Sequence, residues 1–159
     1  MMDIIKNTFQ IVDGNIVRKD GLPLNFIVSK SGHLHVSVKR KTLYAHRIMW
    51  AICYGDIPDK SEIDHINGDP SDNRIENLRL ATRCENNQNT KRRLDNTSGT
   101  KGVFWDGHSK SWRASIWANK KKHDLGRFLN LSDASLAANI ARRKIHGVFA
   151  NIGNHLETV

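Results

Sequence analysis

The chain has 159 residues, room for one ordinary domain or two small ones, and its 38% hydrophobic and 26% charged content suits a globular protein in water. Lys and Arg outnumber Asp and Glu by 25 to 16, and the net charge of +9 points to a polyanionic partner, most often nucleic acid. No apolar run reaches membrane-spanning length, MMDIIKNTFQIV lacks a signal-peptide pattern, and Cys53 and Cys84 lack disulfide or zinc-ligand spacing, so an intracellular, non-secreted protein with no membrane partner is expected.

Residues 1–41 read as an N-terminal β segment. Gly14 precedes Asn15-Ile16-Val17, Gly21 and Pro23 mark a turn before Phe26-Ile27-Val28, and Ser31-Gly32 separates that run from an alternating stretch over 33–38. Lys39, Arg40 and Lys41 form a basic knot at the end of that stretch, and a small antiparallel sheet is expected.

Residues 42–90 change period. Ala45, Ile48, Met49, Ile52 and Cys53 share one face of a helix over 43–54, stopped by Gly55 with Pro58 beyond. His46 lies close to that face and is expected as a buried, hydrogen-bonded histidine rather than a catalytic accessory. From residue 62 the chain reads EIDHINGDPSDNRIENLRLATRCENNQN. A strand through Ile63-Asp64-His65-Ile66 enters a polar turn, and Asn77-Leu78-Arg79-Leu80 returns as a second strand. Thr82 and Glu85 have capping-box spacing, so a helix should start there with Asn86 in its first turn. That order brings Asp64, His65, Asn77 and Asn86 within reach of one another.

Residues 91–101 are polar, basic and turn-rich and read as a linker. Lys91, Arg92 and Arg93 are placed equally well on phosphates or in solvent. Residues 102–151 form a second domain. Strands run through Val103-Phe104-Trp105, through 112–117 and through 122–128, with turns at Asp106-Gly107 and Asn119-Lys120. A helix then reaches His146 and stops at Gly147, with Ala134, Ala137, Ala138, Ala141 and Ile145 on the face toward the sheet. Residues 152–159 are a tail.

The chemistry belongs to the middle stretch. A carboxylate and an amide carbonyl are hard oxygen ligands that suit Mg²⁺ or Mn²⁺. An imidazole beside such an ion can take a proton from water near neutral pH, while the metal neutralises charge on the leaving oxygen. Asp64, His65 and Asn86, with Asn77 holding the loop, thus suggest a phosphodiester hydrolase. A calcium loop is excluded, because setting Gly68 as its glycine puts Ile63 and Arg74 where Asp and Glu are needed. Asp69, Asp72 and Asn73 read as ordinary turn formers.

His65, Asn77 and Asn86, with Asp64 before the histidine, resemble the HNH homing-endonuclease signature in its His-Asn-Asn form, and the surrounding sequence extends the resemblance over 44–90. That family is common in bacteriophages. The resemblance implies a ββα-metal module in which His65 is the general base, Asp64 and Asn86 bind one divalent ion (Mg²⁺ or Mn²⁺), and Asn77 braces the loop. Residues 99–151 resemble an AP2 DNA-binding domain, which reads the major groove with the exposed face of a three-stranded sheet. Alternation in its second strand sends Trp112, Ala114 and Ile116 to the helix and Arg113, Ser115 and Trp117 to DNA. Lys101, Phe104, Lys120 and Lys122 join them as candidates. Trp105 is read as either a stacking or a packing residue.

The expected fold class is therefore α+β, with an HNH module between an N-terminal sheet and an AP2-like domain. The expected function is a metal-dependent endonuclease that acts on double-stranded DNA and nicks as a monomer, with no obligate protein partner. If phage-encoded, it would work in the cytoplasm of a bacterial host. The alternative is a non-catalytic DNA-binding regulator on the same scaffold. An RNA-binding protein fits the charge and tryptophans but leaves the His-Asn-Asn spacing unexplained.

Overall fold

In a computed structural model that describes residues 1–118 and 120–152, the chain divides into two units, Met1–Arg83 and Cys84–Val159. The expected turn residue Asn119 and the tail from residue 153 onward lie outside the described residues. Among the described residues, no helix is long and apolar enough to cross a membrane.

The first unit opens on a helix where only β structure was expected. Helix α1 (Met2–Thr8) is short, with Asp3 in its first turn and Lys6 in its last, the order the helix dipole favours. It buries Ile5, and Phe9 follows it into the same core. Strands β1 (Phe9–Val12) and β2 (Asn15–Arg18) pair as a hairpin across Asp13 and Gly14, whose φ values of 50° and 75° suit a type I′ turn. A second sheet has the order β3 (Ile27–Val28), β4 (Leu34–Val38), β5 (Lys41–Tyr44). The basic knot follows the end of β4, where it was expected, and makes the hairpin to β5. Lys39 and Arg40 are the turn, at φ 49° and 62°, and Lys41 pairs with Val38 as the first residue of β5.

Helix α2 (Ala45–Cys53) follows β5, and Gly55 at φ 89° ends it as expected. The helix joins two cores. Ile48 packs with Val36, Val38, Leu43, Ile5 and Phe9, while Met49 and Trp50 pack with Ile63 and Leu78. Its buried face is wider than the sequence periodicity suggested, because Trp50 and Ala51 are inside and Cys53 is exposed. Each such large side chain withdrawn from water contributes about 1.5–3 kcal/mol. Strands β6 (Ser61–His65) and β7 (Leu78–Thr82) form an antiparallel ribbon with Asp64 opposite Arg79 and His65 opposite Leu78. Asn77, expected in a strand, is instead the last residue of a one-turn 3-10 helix, Ile75–Asn77. Helix α3 (Arg83–Gln88) then starts directly after Thr82.

In the second unit, β8 (Val103–Asp106), β9 (Ser111–Ala118) and β10 (Lys121–Phe128) form an antiparallel sheet in the order β10-β9-β8. Helix α4 (Leu131–His146) packs on one face, with Ala134 and Ala138 fully buried against Val103 and Ala114. Small side chains permit that close approach. Gly102 lets the chain ahead of β8 lie close to β9, since at φ 74° an added Cβ would stand 2.2 Å from the Ser115 carbonyl oxygen. The expected helix face is wrong at one end. Ile145 is exposed, and the buried row continues from Ala134 and Ala138 through Arg142 to His146, at steps of four. The segment 91–101 is tied to the sheet, with Ser98 Oγ donating to the Val103 carbonyl at 2.7 Å and Asn96 Nδ2 to that of Thr100 at 3.1 Å.

Candidate active site

Asp64 and His65 are successive residues of β6 and so project from opposite faces of the strand, and both are buried because both faces are covered at this end. Asp64 faces its cross-strand neighbour Arg79, whose Nε and Nη2 both donate to Oδ2, at 2.8 and 2.7 Å. The guanidinium fixes the orientation of the carboxylate.

The loop after His65 is built from side chains that replace missing backbone partners. The amide of Gly68 (φ 66°) returns to the His65 carbonyl at 2.8 Å. Asn67 Oδ1 accepts from Asp69 N, and Asp69 Oδ1 accepts from both the amide and the hydroxyl of Ser71. Arg74 clasps Asp72 and holds its carboxyl down at about 2. Asn77 closes the structure. Its Oδ1 accepts from Asn67 N at 3.0 Å, and its Nδ2 donates to Asn67 Oδ1 at 3.0 Å and to the Asp72 carbonyl at 2.8 Å. Its own carbonyl accepts from Ile66 N at 2.8 Å. One buried amide therefore ties both ends of the loop together.

Asn73 does more than turn the chain. Its Nδ2 donates to the Ser71 carbonyl at 2.9 Å, which aims Oδ1 at His65 Nε2, 3.2 Å away. An amide oxygen can only accept, so Nε2 carries the proton of the neutral ring and Nδ1 carries the lone pair. Sequence reading missed this residue, because its turn-forming role and its contact with a ring eight positions earlier look the same in the sequence.

Two further imidazoles wall the His65 ring. Ring centroids lie 5.2 Å apart for His46 and His65, 5.6 Å for His33 and His65, and 5.2 Å for His33 and His46. His33 Nδ1 lies 2.9 Å from Ser31 Oγ. His46 is buried as expected but not hydrogen-bonded as expected, since its Nδ1 has no partner. Burial, and then the charges of His65, His33 and Arg47, push His46 down to about 3. Burial followed by His65 also lowers His33.

Among the described residues, no three His, Cys, Asp or Glu side chains converge to hold a metal ion. A Mg²⁺ site needs fewer, because that ion keeps several waters and takes one or two carboxylates plus substrate phosphates. Asp64, buried and oriented, fits that modest demand. Asn86 lies on α3, in the second unit.

The candidate DNA contacts separate into groups. Lys39, Arg40 and Lys41 are exposed on the β4–β5 hairpin, and Lys91, Arg92 and Arg93 are exposed ahead of β8, with Arg93 paired to Asp95 at 3.0 Å. On the sheet face away from α4, Phe104 and Trp117 are exposed, and both Arg113 and Lys122 lie 5.9 Å from the Phe104 ring centroid. Arg113 is also held by Asp124 at 3.0 Å. Ser115 lies opposite Asp124 on the same sheet. Trp105 packs edge-on against Trp112 at 5.2 Å while remaining half exposed. Lys101 is not on this face. Its ammonium donates to the carbonyls of Gln88 and Thr90, and burial with the nearby Arg142 charge pushes it down to about 8. Lys101 and Lys120 line a cavity instead.

The HNH endonuclease family matches residues 43–88, a stretch that holds Asp64, His65, Asn77 and Asn86. Protein 3.8 of Escherichia phage T7 is 38% identical over 105 residues, which cover 66% of this chain and 86% of that protein. No solved structure matches the chain. The chain belongs to the family of the phage Protein 3.8 and carries an HNH endonuclease domain over residues 43–88.

Proposed function

We propose that the protein is a metal-dependent endonuclease that hydrolyses phosphodiester bonds in duplex DNA. The observation that carries this is the ring of His65, with Nε2 held by Asn73 and the loop beneath it locked by Asn77. A fixed ring with its lone pair on Nδ1 is what proton abstraction from a water requires. As that water attacks phosphorus, Nδ1 takes its proton, and the Asn73 carbonyl accepts from Nε2–H throughout, which favours the imidazolium that forms. A bound Mg²⁺ or Mn²⁺ would supply charge neutralisation at the phosphate and the leaving oxygen. Asp64 would hold that ion, with Asn86 as its second protein ligand on the strength of the sequence signature. One base and one metal make one cut, so a monomer would nick.

The second unit would place the nuclease, in the manner of an AP2-like domain. The exposed sheet face of Phe104, Arg113, Ser115, Trp117 and Lys122 supports this, since it combines cations with flat apolar surface. Lys39, Arg40, Lys41 and Lys91, Arg92, Arg93 would add phosphate contacts. A homing role would follow if the cut fell beside the protein's own gene.

Incubation with supercoiled plasmid and with a genomic DNA library, in Mg²⁺, in Mn²⁺ and in EDTA, tests the proposal. Nicked product that needs the divalent ion is expected. Duplex binding with no metal-dependent cleavage at any site in the library would instead make the protein a DNA-binding regulator.

A further inference from the structure

The buried row of α4 includes a cation without an anion among the described residues. Arg142 is 3% exposed, and its Nη2 donates to the Lys101 carbonyl at 2.8 Å. Its Nη1 is also buried and has no hydrogen-bond partner, and among the described residues Arg142 forms no ion pair. A guanidinium held this way is costly unless something anionic joins it.

Space for such a group adjoins it. A cavity of about 360 Å³ is lined by Arg142, Lys101, Lys120, His146, Ser115 and Gln88, among others, and among the described residues no Asp or Glu lines it. His146 Nε2 is engaged by the Trp117 carbonyl at 3.1 Å, while its buried Nδ1 has no partner. Burial lowers Arg142, Lys101 and His146 alike. Three basic side chains have thus been drawn together against both desolvation and mutual repulsion, and the amide residues Asn87 and Gln88 line the same cavity. Lys120, exposed beside them, adds a further positive charge.

We propose that this cavity is a phosphate-binding site, in which Arg142 Nη1 is the buried donor and Lys120 the closing one. Guanidinium and ammonium groups together match the shape and the charge of a phosphate better than those of a single carboxylate. The phosphate belongs either to a free ion such as inorganic phosphate or pyrophosphate, or to a diester of bound DNA. The second source rests on the DNA-binding role proposed above, and the first does not.

The test uses the full chain. Thermal unfolding is followed against inorganic phosphate and pyrophosphate, with sodium chloride at matched ionic strength as the control, and duplex affinity is measured by anisotropy over a salt series. For a free phosphate, a saturable rise in Tm is expected in the wild type, with apparent affinity weakened about tenfold or more in Arg142→Gln. For a DNA diester, phosphate gives no excess rise over chloride. Arg142→Gln then weakens duplex binding by a similar factor and lowers the salt slope by about 0.9. If Arg142→Gln does not fold, Lys120→Ala replaces it, with nitrogen-detected NMR of wild-type Arg142 and His146 during the phosphate titration. The proposal is overturned if phosphate neither stabilises the protein beyond chloride nor moves those resonances and the variant binds duplex as the wild type does. Cleavage is read in neither arm, so an empty cavity and an inactive nuclease are separate outcomes.

Discussion

Asn73 presents its side-chain carbonyl to Nε2 of His65 at 3.2 Å, and this contact decides which ring nitrogen is the base. Asn73→Ala should leave the loop closed through Asn77 but free the ring and its tautomer. The expected result is a cleavage rate lower by about 10–100-fold, less than the 10²–10⁴ that general-base catalysis contributes as a whole, with duplex affinity unchanged. Asn73→Asp, which keeps an acceptor at that place, should recover part of the rate. Single-turnover cleavage of a defined duplex checks both, and equal rates for the wild type and Asn73→Ala would remove Asn73 from the machinery.

Arg79 and Asp64 form a buried cross-strand ion pair. Truncating one member of such a pair removes a charge-assisted contact from a buried carboxylate. Arg79→Met should therefore lower stability by about 3 kcal/mol, within the range for broken buried pairs. Urea unfolding measures it, and a loss below about 1 kcal/mol would place the pair with exposed ones.

Asn77 is the loop's closure. Asn77→Ala leaves the Asn67 amide and the Asp72 carbonyl without their partner in a buried place, a loss of about 2–3 kcal/mol. Asn77→Asp should be no better, because an oxygen would then face the Asp72 carbonyl where an NH₂ donated. Denaturation of both variants, read beside cleavage, checks this. A stable Asn77→Asp protein would show that the donor contacts carry little.

His46 gives a pH dependence with a definite sign. Its pKa lies at about 3 in the folded protein, below the ordinary imidazole value near 6.5, because burial disfavours the charged ring. Below that ordinary value the unfolded chain binds a proton that the folded chain does not. The contribution to stability is whole above about pH 6.5 and is lost progressively as pH falls toward 3, by up to about 1.4 kcal/mol per pH unit for one proton. His46→Gln should flatten the stability curve between about pH 6 and 4. Parallel curves for variant and wild type would contradict the assignment.

The parts of this fold that repeat at strand spacing were legible in the sequence. Alternation located β6, β7 and the three strands of the second unit, and it placed Asp64 and His65 on one strand. Helix α1 escaped because seven residues are too few for a helical period to show. Lys39 and Arg40 hid a turn, since two basic residues are unusual at positive φ. Other contacts were invisible because they depend on how side chains meet in space. His33 reaches His65 from the turn ahead of β4, and Asn73 turns its amide back onto the ring. In α4, apolar Ile145 was assigned inside by its type, whereas the row through Ala134 and Ala138 continues to Arg142 and His146.

The decisive measurement is plasmid cleavage by His65→Ala beside the wild type, in Mg²⁺ or Mn²⁺, on DNA that carries a selected site. Loss of the base should slow cleavage by about 10² or more while duplex affinity stays the same. A His65→Ala protein that cuts at the wild-type rate would contradict His65 as the base and, with it, the proposed active site.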